Sequence, residues 1–144
     1  MKRFANGLYA IKNPSKYVGK RAPRYRSSWE HAFMRFADNN DHIIQWASES
    51  INIPYTNPVT GKKTHYVPDF LIQYRNRNNQ VITELIEIKP KKQSVVESKS
   101  SQRDRASVAV NHAKWAAAQK WCKQQGIRFR VLTEDDIFRQ GSRH

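Results

Sequence analysis

One cysteine, Cys122, stands in 144 residues, so no disulfide can form within the chain and no thiolate cluster can hold zinc or iron and sulfur. A reducing compartment fits that composition, and a lone thiol in an Ala- and Trp-rich stretch reads as packing rather than as a nucleophile. The five histidines, His31, His42, His65, His112 and His144, show no His-x-x-x-His or other ligand spacing, which argues against zinc. No long apolar run and no basic helix with a bulky apolar face is present, so the chain is read as having no membrane partner. Met1-Lys2-Arg3-Phe4-Ala5-Asn6 carries charge like a signal peptide but is followed by no apolar run, and the protein is expected to stay where it is made.

Acid is also scarce. Twelve Asp and Glu face 26 Lys and Arg, a net charge of +14, and a surplus of that size attracts phosphate backbones. Residues 1–29 contain no acid at all, only eight Lys and Arg interleaved with Phe4, Tyr9, Tyr17 and Tyr25. The segment reads as a basic arm that orders on a polyanion, with a solubilising tail as the bland alternative.

The length suits one domain. Ser27-Ser28 offers a helix cap, and Trp29, Phe33, Phe36 and Ala37 recur at helical spacing, which predicts a first helix ending near Asp38. Extended patterns follow at 42–46 and 51–55, a turn at 57–62, and a clearer pair at 65–74 and 81–89 joined by the polar loop 75–80. Together they predict a small mixed sheet. Residues 91–101 are basic, Ser-rich and aperiodic, and read as a mobile loop able to grip substrate. A long helix is predicted over 102–125, with Val110, Trp115, Ala118 and Cys122 on one face and Gly126 as its cap. A last strand at 127–133 and a short helix begun by Thr133-Glu134-Asp135-Asp136 complete the chain.

Chemistry concentrates at Asp69 and Glu87-Ile88-Lys89. Side chains alternate along a strand, so Glu87 and Lys89 share one face while Ile86 and Ile88 take the other. A glutamate and a lysine set side by side among apolar residues cost desolvation unless a cation or a substrate uses them. Pro68 disfavours a fully paired strand at Asp69, placing that acid at a bend or edge open to a metal. Two carboxylates plus water and phosphate suit a hard cation, Mg2+ or Mn2+, and Lys89 is placed to orient the attacking water or offset transition-state charge. Glu30, beside the apolar stripe of the first helix, is the third candidate metal ligand, with favourable interaction with the helix dipole as the competing explanation. Glu84, on the opposite strand face from Glu87, is expected toward solvent or the arm.

Tyr66-Val67-Pro68-Asp69-Phe70 with Glu87-Ile88-Lys89 resembles the PD-(D/E)xK nuclease superfamily, which implies a restriction-endonuclease-like α-β-β-β-α-β core, a central mixed sheet flanked by helices, and magnesium-dependent phosphodiester hydrolysis. Within it, Asn13-Pro14-Ser15-Lys16-Tyr17, Tyr25-Arg26-Ser27-Ser28-Trp29-Glu30, Trp46-Ala47-Ser48-Glu49, Ile53-Pro54-Tyr55 and Pro58-Val59-Thr60-Gly61-Lys62 resemble the head completion nucleases of T-even-like tailed phages. Those are similar in turn to the transposon endonuclease TnsA, which places a helix glutamate ahead of the Pro-Asp strand, matching Glu30 here.

The resemblance implies an α/β endonuclease cutting double-stranded DNA, with Glu30, Asp69, Glu87 and Lys89 as its site. It also implies head, portal or neck proteins as partners, work on packaged DNA before tail attachment, and the host cytoplasm and virion as its places. The domain reading is a basic arm at 1–26, the nuclease domain at 27–139 and a tail at 140–144. Cations expected on phosphate are Lys16, Lys20, Arg21, Arg24 and Arg26 in the arm, Lys91 and Lys92 in the loop, and Arg103, Arg105 and Lys114 in the long helix. The rival reading is a structural DNA-binding head or neck protein with a vestigial nuclease fold; RNA as substrate is a third.

Overall fold

A computed structural model of the chain describes residues 6–90 and 102–136. Helix α1 (Ser28–Asn39) begins where Ser27 Oγ accepts the Glu30 N–H at 3.1 Å, satisfying a first-turn donor that the helix leaves open. Its apolar stripe buries Phe33, Met34 and Ala37. The central sheet has the order β3-β6-β7-β8, from strands Ile43–Ser48, Phe70–Arg75, Val81–Ile88 and Arg128–Leu132. β3, β6 and β7 are antiparallel neighbours, and β8 lies parallel to β7. A parallel neighbour needs a crossover, and α2 (Gln102–Gln125) lies in that connection.

The sheet is covered on both faces. Phe33, Met34 and Ala37 of α1 share one core with Trp46, Phe70, Ile72, Ile86, Ile88 and Leu132. Leu85 shares the other with Ala118 and Cys122 of α2 and with Ile53 and Tyr66. Burial on both sides explains why β7 is inaccessible from Glu84 to Ile88. Among the described residues no helix is long and apolar enough to cross a membrane.

Several expectations are corrected. The single strand over 65–74 is two: β5 (Lys63–Tyr66) pairs with β4 (Ile53–Thr56) in a hairpin outside the central sheet, and Val67-Pro68-Asp69 breaks the run before β6. Pro68 has no N–H to give a ladder, and the chain turns there from one sheet to another. The buried face of α2 runs through Val108, Asn111, Ala118 and Cys122; Val110 falls off that line and is only partly covered.

The basic arm is the largest correction. From Gly7 the segment is packed: β1 (Gly7–Leu8) pairs with β2 (Arg24–Tyr25), and a 3-10 turn spans Pro14–Lys16. The Val18 N–H donates to the Trp46 carbonyl at 3.0 Å. Tyr17 meets Trp46 edge-on and Tyr25 stacks on His31. Asp38 holds the segment, accepting from the Tyr9 hydroxyl at 2.7 Å, the Lys12 N–H at 2.8 Å and the Asn13 N–H at 3.0 Å. An acid-free stretch thus finds its acid on α1, and Tyr9, Tyr17 and Tyr25 serve packing. The expected mobile loop at 91–101 and the tail at 140–144 lie outside the described residues.

Candidate active site

The register that pairs Phe70 with Ile86 and Leu71 with Leu85 sets Asp69 one step further, opposite Glu87 and on the same face. The Asp69 carboxylate secures that position by accepting the Ile88 N–H at 2.7 Å. On the β3 side the Asp69 carbonyl accepts the Glu49 N–H at 2.9 Å. The bend at Pro68 thus delivers the aspartate between two strands, tied to each by backbone.

Protein surrounds both carboxyl groups, leaving Asp69 only partly open and Glu87 4% exposed. Burial is the largest influence on Asp69, and the nearby charges of Glu87 and Glu30 add to it, pushing its carboxyl well above the usual carboxylate range against the opposing Ile88 N–H and Lys89. Burial also raises Glu87, with Lys89, the adjacent Tyr66 hydroxyl and Asp69 carboxyl, and Lys114 pulling the other way. Glu87 Oε1 is buried and lacks a hydrogen-bond partner, while Oε2 lies 3.6 Å from Lys89 Nζ. Two neighbouring buried acids, both raised by desolvation and with the charge of Glu87 raising Asp69 further, fit a divalent cation.

Glu30 stands apart from this pair. Its carboxylate accepts from the Arg26 N–H and the Ser27 hydroxyl, each at 3.4 Å, as a helix-capping glutamate does. Its pKa is raised, chiefly by burial and also by Glu49, with Arg26 and Ser27 opposing. Its charge is felt at Asp69, yet among the described residues no three His, Cys, Asp or Glu form a ready group of metal ligands. The closed three-acid shell expected from the sequence is therefore not preformed.

The expected phosphate-binding cations fall in different places. Lys20, Arg21, Arg24 and Arg26 are exposed along the N-terminal segment. Lys16 is engaged elsewhere, its ammonium donating to the Asp38 and Asn40 carbonyls at 2.9 and 2.8 Å. Arg103 and Arg105 are exposed in the first turn of α2, while Lys91 and Lys92 lie outside the described residues.

Lys114 comes closest to the chemistry. Half-buried on α2, with Nζ 5.7 Å from the Tyr66 ring centroid, it has a pKa lowered by burial and by Lys89, against the attraction of Glu87 and Asp69. Tyr66, whose buried hydroxyl lies beside Glu87 and opposes the rise of that carboxyl, is the neighbour that sequence reasoning left without a role. Its place three residues before Asp69, at the end of a strand, is the available signal. Glu84 corrects its expectation: it is 2% exposed, accepting from the Tyr74 hydroxyl at 2.7 Å and ion-paired to Arg130 at 2.9 Å.

A sequence profile described as TnsA-like endonuclease N terminal matches residues 40–134. The chain is also 38% identical, over 143 aligned residues, to a protein of Enterobacteria phage T4 named Head completion nuclease, an alignment that covers 92% of this chain and 93% of that protein. The core order α1-β3-β6-β7-α2-β8 is the restriction-endonuclease-like arrangement that the resemblance implied, with the β4–β5 hairpin inserted after its first strand. Matched over most of its length by that profile and nearly end to end by that relative, the chain belongs to the TnsA-like endonuclease family.

Proposed function

We propose that the chain is a divalent-metal-dependent endonuclease that hydrolyses phosphodiester bonds of double-stranded DNA during completion of a phage head. The observation that carries this reading is the buried Asp69–Glu87 pair, whose raised pKa values and bare Glu87 Oε1 give a cation something to relieve. The family and the name of the phage T4 relative support the nuclease and the head.

Asp69 and Glu87 would hold Mg2+ or Mn2+, with Glu30 joining once released from its capping contacts. When bound, the cation polarises the scissile phosphate and makes a nearby water more acidic. Lys89 Nζ, at rest against Glu87 Oε2, orients the attacking water or offsets the extra negative charge that develops. Lys114 adds a second positive charge from the helix side. The host cytoplasm and the assembling head are the proposed workplaces, and head or neck proteins the proposed partners.

The test incubates purified protein with supercoiled plasmid and Mg2+, comparing it with Glu87→Ala and Lys89→Ala. Nicking by the parent and none by the variants is expected. No nicking by the parent favours a structural DNA-binding role, and equal nicking by all three removes these residues from the site.

A further inference from the structure

A cavity of 770 Å³ lies beside the site, among its lining residues Lys20, Arg21 and Arg26 of the N-terminal segment, Ser48 and Glu49 at the end of β3, and Val67. Lys20 and Arg21 are exposed, and among the described residues neither is ion-paired with a carboxylate. Arg26 is paired: its Nε and Nη2 donate to Glu49 Oε1 and Oε2 at 3.2 and 3.1 Å. That two-point grip is the one a guanidinium uses equally on a phosphate.

Glu49 sits where a glutamate is unusual. Its φ of 49° lies in the left-handed region that side chains with a Cβ rarely adopt, and such outliers persist only where neighbours hold them. The holding contact is its N–H on the Asp69 carbonyl, one step beyond the Ser48–Phe70 pair. The acid that occupies Arg26 is therefore pinned to the residue bearing the first site carboxylate.

We propose that this groove seats an internal phosphodiester of the DNA flanking the bond to be cut, and that Glu49 stands in for that phosphate until Arg26 exchanges one for the other. The inference rests on the DNA nuclease reading and names how that substrate is held. The phosphate brings the single negative charge that Arg26 now neutralises on Glu49, and an exposed ion pair is weak enough to be displaced. The phosphate, unlike Glu49, can also meet Lys20 and Arg21.

Affinity for a short DNA duplex, closed at both ends by hairpin loops, is measured without divalent cation on variants whose melting curves show them folded. Glu49→Gln is expected to tighten binding about three- to fivefold and to steepen the log–log salt dependence by about one. Asp41→Asn, the same charge change at an exposed site off the groove, is expected to tighten it less than about twofold. In an Arg26→Gln background the Glu49→Gln gain should vanish. The proposal is overturned if Asp41→Asn matches Glu49→Gln, or if the gain survives without Arg26. It is equally overturned if the gain needs an open duplex with 5′-phosphate ends, which would assign the groove to terminal phosphate. Plasmid nicking in parallel separates the two readings: nicking with no Glu49 effect sinks the exchange alone, and a Glu49 effect without nicking sinks the nuclease assignment alone.

Discussion

Asp38 and the Asp69–Glu87 pair are all acids withdrawn from water, and the fold treats them in opposite ways. Asp38, 1% exposed, is surrounded by donors, and although burial works to raise its pKa, the Lys12 and Asn13 N–H groups and the Tyr9 hydroxyl outweigh it and hold the carboxyl low. Asp69 and Glu87 are held high because burial outweighs the donors they have, and at Asp69 the charges of Glu87 and Glu30 add to it. Glu84 lies nearer to Asp38, with the Tyr74 hydroxyl on one oxygen at 2.7 Å and Arg130 in ion-pair contact with the other at 2.9 Å, although that second oxygen accepts no hydrogen bond. Burial against close donors marks an acid that builds the fold; burial beside a second raised acid marks one that waits for a ligand.

The sharpest way to break this contrast is to remove its members. Asp69→Ala and Lys89→Ala should each lower plasmid nicking on the order of a thousandfold, about 4 kcal/mol of transition-state stabilisation, while the circular dichroism spectrum stays that of the parent. Asp38→Ala should do the reverse. It strands the Lys12 and Asn13 N–H groups and the Tyr9 hydroxyl, costing about 3 kcal/mol and lowering Tm by about 10 °C, with nicking per folded molecule retained at lower temperature. Loss of nicking in a folded Asp38→Ala protein would show that the two regions are not separable.

Two smaller effects refine it. Lys114→Met should slow nicking about tenfold while Lys114→Arg restores most of the rate, since the role argued for Lys114 is its charge beside Glu87 and Asp69. Glu87→Gln should stabilise the metal-free protein at neutral pH by on the order of 1 kcal/mol, a rise of a few degrees in Tm, because it removes a buried charge whose desolvation outweighs its partners.

The pH dependence separates the regions by sign. Asp38, with a lowered pKa, contributes stability that is present above the ordinary aspartate range and is lost as pH falls through its folded value. Glu87, with a raised pKa, contributes stability that is present in acid and is lost as pH rises through its folded value. In metal-free melts from acid to neutral pH, Asp38→Ala should flatten the acid limb and Glu87→Gln the loss on the neutral side. Adding Mg2+ should raise the parent Tm more at neutral than at acid pH.

Local pattern was enough for much of this. Capping at Ser27, the apolar stripe of α1, the alternation that separates Glu87 from Ile86 and Ile88, and the stop at Gly126, whose φ is 73°, depend on near neighbours in the chain. The same holds for choosing Asp69, Glu87 and Lys89 as candidates. The N-terminal segment was read as a free arm because its charges are all of one sign, and composition does not reveal that its backbone N–H groups would be met by Asp38, more than twenty residues away along the chain.

Sequence by itself therefore determined the two helices, the approximate strands of the central sheet, the excess charge and the residues fit for the chemistry, since each follows from short-range sterics and composition. Tertiary structure decided which acids find donors. The four acids of α1 and β7 that looked alike as letters, Glu30, Asp38, Glu84 and Glu87, differ in what the rest of the fold brings to them. Desolvation and pairing are settled by the whole fold, not by local spacing.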